Sequence, residues 1–198
     1  MDEKRVHQDS RWIRTFKYRR AIVIAAILLA ASGVSNAFDG ARKGFVAGAG
    51  VGIAPRAHWS SSLLNINASE FGVGGELILG YAWDNRNMLV YDGAGCLFTT
   101  SQLVHGTTVQ GIDAVRWYHY WGKGPRQFFT ALGVGSTMFA TQYCGVDGSG
   151  FGYSLGVGRE LFKQVQAGVY LLGGRTSNDY GLKASHLDVL VLLTIIAY

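Results

Sequence analysis

Glycine recurs at alternate positions four times in this chain, each time with bulkier residues between: Gly48-Ala49-Gly50-Val51-Gly52, Gly72-Val73-Gly74, Gly133-Val134-Gly135 and Gly156-Val157-Gly158. A step of two places the glycines on one face of an extended strand and their neighbours on the other. A glycine loop that cradles phosphate instead opens an amphipathic helix, and no such pattern follows any of the four. Extending the same period along the chain predicts eight strands, at about residues 43–56, 68–83, 88–99, 108–121, 127–140, 150–161, 165–175 and 185–198.

The breaks between them alternate in character. Residues 83–87, 122–126 and 161–164 are compact, whereas 55–67, 100–107, 142–149 and 176–184 are longer or richer in polar residues and glycine. Compact turns at one end and longer loops at the other, with both termini on the compact side, is the arrangement of an outer-membrane barrel. The expected fold is all-β: an eight-stranded antiparallel up-and-down transmembrane β-barrel over residues 38–198.

Charge decides which face meets lipid. Glu76 shares parity with Gly72 and Gly74, and Glu160 with Gly156 and Gly158, while the opposite faces carry Phe71, Val73, Leu77 and Phe151, Tyr153, Leu155. A charge facing hydrocarbon costs about 2–4 kcal/mol near the midplane, so the glycine-and-acid face belongs inside. Glycine there makes room, because eight strands enclose barely enough space for side chains. By the same logic Asp92 and Arg116 join Glu76 and Glu160 in a polar cluster within the lumen. Alternation leaves two strands unresolved: Asp113 and Arg116 have opposite parity, and the eighth strand is apolar on both faces.

A soluble lipocalin-like barrel would show the same alternation with the faces exchanged. The aromatics argue for the membrane. Tyr81, Trp83, Trp117, Tyr118, Tyr120, Trp121, Phe128, Phe129 and Tyr198 all fall at the compact-turn end, where an interfacial girdle of amphipathic rings is expected.

Residues 1–37 read as a cleavable signal peptide. A basic n-region (1–20) precedes an apolar h-region (21–34), AIVIAAILLAASGV, and Ser35-Asn36-Ala37 supplies a small-x-small cleavage site. That run is shorter than the roughly 20 apolar residues of a spanning helix. The leader also accounts for +4 of the overall charge of +5, since residues 1–20 hold seven Lys or Arg against three acids. With the excess confined to the leader, nothing favours a nucleic-acid partner. Cys96 and Cys144 fall at the same end of the barrel and could form a disulfide, or stand as two unpaired small residues; two cysteines are too few for a closed zinc site.

The mature chain resembles the small eight-stranded outer-membrane β-barrel domain proteins of Gram-negative bacteria. The resemblance rests on Ala41-Arg42-Lys43-Gly44-Phe45 after the leader, on Gly152-Tyr153-Ser154-Leu155-Gly156-Val157-Gly158-Arg159-Glu160-Leu161, and on the closing Leu192-Leu193-Thr194-Ile195-Ile196-Ala197-Tyr198. It implies outer-membrane lipids as surroundings and recognition of the last strand by the barrel-assembly machinery, with Tyr198 standing where phenylalanine is commoner. The expected protein is a monomer without cofactor. The group includes adhesins, resistance proteins, structural barrels and a few lipid-modifying enzymes, so activity has to come from residues.

An enzyme needs a nucleophile and a base. His58 is followed by Ser60, Ser61 and Ser62, and His186 by position adjoins Ser185, but no acid is identifiable that would orient either histidine. Arg56, His58, Trp59, His105, Asp147, Asn178, Asp179 and Tyr180 fall in the longer breaks, where a binding surface would sit. The reading that follows is a structural or surface-interaction barrel, with a lipid-modifying enzyme and a soluble ligand-binding barrel as alternatives.

Overall fold

The computed structural model describes residues 42–61, 66–100, 106–122, 124, 126–141, 147–177 and 183–198; the expected leader lies outside them. Eight strands follow one another: β1 (Gly44–Ser61), β2 (Ile66–Ala82), β3 (Asn87–Thr100), β4 (Gly106–Trp121), β5 (Phe128–Thr141), β6 (Asp147–Phe162), β7 (Val165–Ser177) and β8 (Lys183–Ala197). Each pairs antiparallel with the next and β8 closes on β1, so the sheet has no free edge.

The strands outrun their expected limits at the end away from the termini. The stretch expected as a loop between Pro55 and Asn67 is strand up to Ser61 and again from Ile66, so Arg56, His58 and Trp59 lie on β1 rather than in a loop. Pro55 suggested a break, yet it sits where register shifts against both neighbours, between Ala54 and Ala57 toward β2 and between Ile53 and Arg56 toward β8. A bulge is where a strand tolerates a residue with no N–H to donate. It also exchanges faces: Val46 and Ala54 point inward before it, Ala57, Trp59 and Ser61 after it. Asp147 likewise belongs to β6, while Asn178, Asp179, Tyr180, Ser62 and His105 lie outside the described residues. Polarity at this end marks strand that leaves the apolar band, and composition alone does not separate that from loop.

Glu76, Asp92, Arg116 and Glu160 face inward as the charge argument required, while Asp113 faces outward. Outward side chains form an apolar band, with Phe45, Val51, Phe71 and Phe151 each about two-thirds exposed. Inward ones fill the lumen, the largest being Trp59, Arg116, Tyr118, Tyr120, Tyr170 and Phe129. The expected girdle is thinner than the sequence suggested. Tyr81, Trp83, Trp117, Trp121 and Phe128 face out at the turn end, whereas Tyr118, Tyr120 and Phe129 alternate with them and are buried inside.

Both unresolved strands now have definite faces. Arg116 points into the lumen and Asp113 outward, beside Gly93, whose missing side chain leaves the Asp113 carboxylate 3.1 Å from where a Cβ would stand. On β8, Leu190, Leu192, Thr194 and Ile196 are buried within while Val191, Leu193 and Ile195 are exposed. A narrow lumen needs apolar filling too, so apolarity on both faces is no sign of a misread strand.

Candidate functional site

Three polar groups stack along the lumen. The central one gathers Glu76 of β2, Asp92 of β3 and Arg116 of β4. Arg116 Nη1 lies 2.5 Å from Asp92 Oδ2 and 3.5 Å from Glu76 Oε2, all three side chains closed to solvent. Arg116 Nε donates to Ser154 Oγ of β6 at 3.1 Å, Tyr118 donates its hydroxyl to Asp92 Oδ2 at 3.1 Å, and the Thr194 hydroxyl of β8 donates to Glu76 Oε1. The guanidinium also stands 5.0 Å over the Tyr170 ring of β7. One cation thus ties six strands, directly or through its partners.

Glycine makes this possible. A Cβ on Gly50 would stand 2.6 Å from Thr194 Oγ1 and 2.9 Å from Glu76 Cγ, and one on Gly133 would stand 2.5 Å from Ser154 Oγ and 3.2 Å from Arg116 Cβ. Both are below or within the tightest range of real contacts, so the alternate glycines carve the volume that the polar cluster fills.

Glu160, grouped with the other three in the sequence reading, is placed elsewhere. It sits at the turn end in an ion pair with Arg42, whose Nη1 also donates to the Asn85 carbonyl at 2.8 Å. The Arg42 guanidinium stacks 3.6 Å from the Tyr120 ring centroid, and Tyr198 donates its hydroxyl to the Lys163 carbonyl beside Glu160. This group joins the chain just before β1 to the residue just after β8. Arg42 went unrecognised because it precedes the alternating pattern; the available signal was that Glu160 needs a cation at its own level.

The third group lies toward the opposite end. His186 Nδ1 is 3.2 Å from Asp188 Oδ2, and Gln110 Nε2 donates to Asp188 Oδ1 at 2.5 Å. Here is the orienting acid that the sequence did not reveal: residues two apart on a strand share a face. Ser185, adjacent to His186, points the other way and hydrogen-bonds Ser60 Oγ at 2.9 Å on the outer wall. Ser61 faces inward, but its hydroxyl makes no hydrogen bond among the described residues. Among the described residues neither Ser61 nor Ser185 is coupled to the His186–Asp188 pair. Cys96 is buried near this level and makes no disulfide among the described residues, and Cys144 lies outside them. Among the described residues no three His, Cys, Asp or Glu side chains converge as metal ligands.

On the outer wall the same level carries an open cleft of about 350 Å³. It is lined along β7 and β8 by Gly174, Arg175, Ser185, His186 and Leu187, with His58 and Tyr153 from the strands on either side. Gly173, paired with both Tyr153 and Leu187, is buried beneath the Tyr153 ring, which stands 2.6 Å from where a Gly173 Cβ would be.

No family model and no curated protein matches the chain. Among solved structures it is similar to Neisserial surface protein A (NspA), with TM-score 0.56 and 13% identity over 78% of this chain and 97% of that one. It is also similar, at lower scores, to Ail of Yersinia pestis (0.49, 12% identity, 77% and 99% covered) and to OprG of Pseudomonas aeruginosa (0.44, 12%, 80% and 97%). At such identities the likeness is one of fold: the chain is an all-β, closed antiparallel barrel of eight strands, the architecture in which solved outer-membrane barrels are its structural neighbours.

Proposed function

We propose that this chain is a non-catalytic barrel of the bacterial outer membrane, exported by residues 1–37 and serving a structural or surface-interaction role as a monomer. The observation that carries the reading is the outer wall: Val73, Leu132, Val134, Leu155 and Val157 are each roughly half-exposed or more, around a lumen already filled by side chains. A soluble protein rarely exposes contiguous apolar surface on this scale, and a lipid-facing wall requires it.

Orientation follows from the wall's two borders. At the end with both termini and three compact turns, Tyr81, Trp117, Trp121 and Phe128 face outward as rings at headgroup depth, and this end is periplasmic. At the other, outward residues turn polar just past Phe71, Leu97, Phe151 and Leu187, where Ser69, Thr99, Ser149 and Ser185 follow, so the strands project outside the cell. Tyr198, hydrogen-bonded beside Lys163, ends the strand through which barrel assembly would recognise the chain.

The filled lumen argues against a pore and against a lipocalin-like ligand cavity. The split of Ser185 outward from His186 inward argues against a Ser–His nucleophile. The test is fractionation of the expressed protein with a heat-modifiability gel. Outer-membrane recovery and slower migration after boiling support the reading; a soluble species whose migration ignores boiling overturns it. Lipid A from cells with and without the protein, compared by mass spectrometry, must be the same; a protein-dependent mass change makes it a lipid-modifying enzyme.

A further inference from the structure

We infer that the β7–β8–β1 sector of the outer wall, at its extracellular border, binds a phosphate group of the phosphorylated glycolipid that forms the outer leaflet. The inference rests on the outer-membrane reading above for the lipid's presence, and on this sector's own chemistry for the rest.

Outward cations are not spread around this border. Among the described residues, those in the extracellular half are Arg56, Arg175 and Lys183, all exposed and all on β1, β7 and β8. Asp188 is the sole acid in the sequences of these three strands, and it is buried in the lumen. Among the described residues of these strands the sector therefore presents positive charge with no outward acid, beside the cleft rimmed by His58, Arg175 and Ser185.

Register brings Arg175, Ser185, Ser60 and His58 together, with Arg56 beside Val189 on the membrane side of them and Lys183 beside Ser177 on the other. Ser185 pairs with Ser60 on one side and Arg175 on the other, and Leu187 pairs with His58 and Gly173 in the same way. Neighbouring strands lie about 4.8 Å apart, so the Arg175 and Ser60 backbones are about 10 Å apart across Ser185, a span that a phosphate with its hydrogen-bond donors occupies. The Ser60 and Ser185 hydroxyls already hydrogen-bond each other at 2.9 Å, which leaves one hydroxyl proton to donate to a phosphate oxygen. Arginine supplies the fork that fits phosphate oxygens in pairs.

Directly below, the wall becomes apolar with a dent in it. Tyr153, Gly174 and Leu187 line it, the Tyr153 ring lying over Gly173, and Val191 and Leu193 continue the apolar wall toward the membrane centre. A cationic, hydroxyl-bearing rim over an apolar groove matches a phosphorylated sugar carrying acyl chains. It does not match a free phosphate, which would have no use for the groove, nor a zwitterionic phospholipid, whose own cation meets no outward acid among the described residues of these strands.

The experiment uses the full mature barrel, refolded in detergent and verified as folded by heat modifiability. Bisphosphorylated lipid A or its dephosphorylated counterpart is presented at equal concentration in phosphatidylcholine mixed micelles, and bound lipid is counted by native mass spectrometry. The expected result is one tightly retained bisphosphorylated lipid. Retention falls at least tenfold in Arg56→Gln/Arg175→Gln/Lys183→Gln and is unchanged in Lys43→Gln/Arg86→Gln/Arg159→Gln, which removes as much charge at the other end. Equal retention of dephosphorylated lipid, or equal loss in both triple variants, overturns the site. Because the assay is made in micelles, failure there is distinct from failure of the outer-membrane reading, which cell fractionation judges.

Discussion

Arg116 of β4 and Asp92 of β3 meet at 2.5 Å inside the barrel with neither side chain open to solvent, and Glu76 stands 3.5 Å from the same nitrogen. Breaking a buried ion pair by removing one member leaves a charge without compensation, which typically costs about 3–5 kcal/mol. Arg116→Ala is therefore expected to destabilise the barrel by about that amount, since it strands two carboxylates. Asp92→Asn should cost more than Glu76→Gln, because the shorter contact carries more of the pairing. Urea unfolding of the refolded variants in detergent measures all three; a Glu76→Gln variant less stable than Asp92→Asn contradicts the assignment of Asp92 as the main partner.

The two faces of the wall give opposite answers to the same substitution. A Cβ on Gly156 would stand 2.5 Å from Tyr170 Cδ1 and 3.2 Å from the Ala131 Cβ, among buried side chains. Gly156→Ala is expected to cost about 1–3 kcal/mol, as overpacking does. Gly75 faces outward with nothing nearer than the Gly50 carbonyl oxygen at 3.5 Å, and Gly75→Ala should stay within about 0.5 kcal/mol of the parent. The same unfolding midpoints decide; equal costs at both positions would mean that the interior is not packed as described.

Asp84 organises the first compact turn outside the apolar band. Its carboxylate accepts from Asn87 Nδ2 at 2.9 Å and from the Arg86 amide at 2.6 Å, and these bonds hold its pKa below the ordinary aspartate value, Asn87 contributing most. A depressed folded-state pKa adds stability that is complete above the unfolded value and lost as pH falls through the folded one. Asp84→Asn should thus be less stable than the parent at neutral pH, with the difference closing on acidification. Unfolding midpoints taken as a pH series check this, and a difference that widens toward acid would reverse the sign.

Cys96 is shut inside the lumen at 2% exposure. In the folded barrel it should resist a membrane-impermeant maleimide, and after boiling without reductant it should label. Labelling only once reductant is added would show that Cys96 and Cys144 are bridged.

Strand number, order and the inward face of Glu76, Asp92 and Glu160 were legible because each depends on period-two alternation and on the cost of charge in hydrocarbon. What was not legible depends on level along the barrel axis. Glu160 and Glu76 have the same inward parity, yet one meets Arg42 at the turn end and the other Arg116 at the centre. Parity says which side of the wall a residue is on; only register between strands says which neighbours it faces. The Pro55 bulge adds a second blind spot, since it exchanges faces within one strand and turns Arg56 and His58 outward beside Val189 and Leu187. The His186–Asp188 pair was within reach of the alternation rule, and was hidden by the apolar character of the rest of β8.

Paramagnetic accessibility tests the lipid-facing wall most directly, with nitroxides placed singly at Val73, Leu132 and Val157 in the barrel refolded into lipid vesicles. The expected result at all three is strong relaxation by oxygen, which concentrates among acyl chains, and weak relaxation by a water-soluble nickel chelate. Strong relaxation by the chelate, or immobilised labels shielded from both reagents, would put these side chains in water or in a packed core and contradict the membrane barrel.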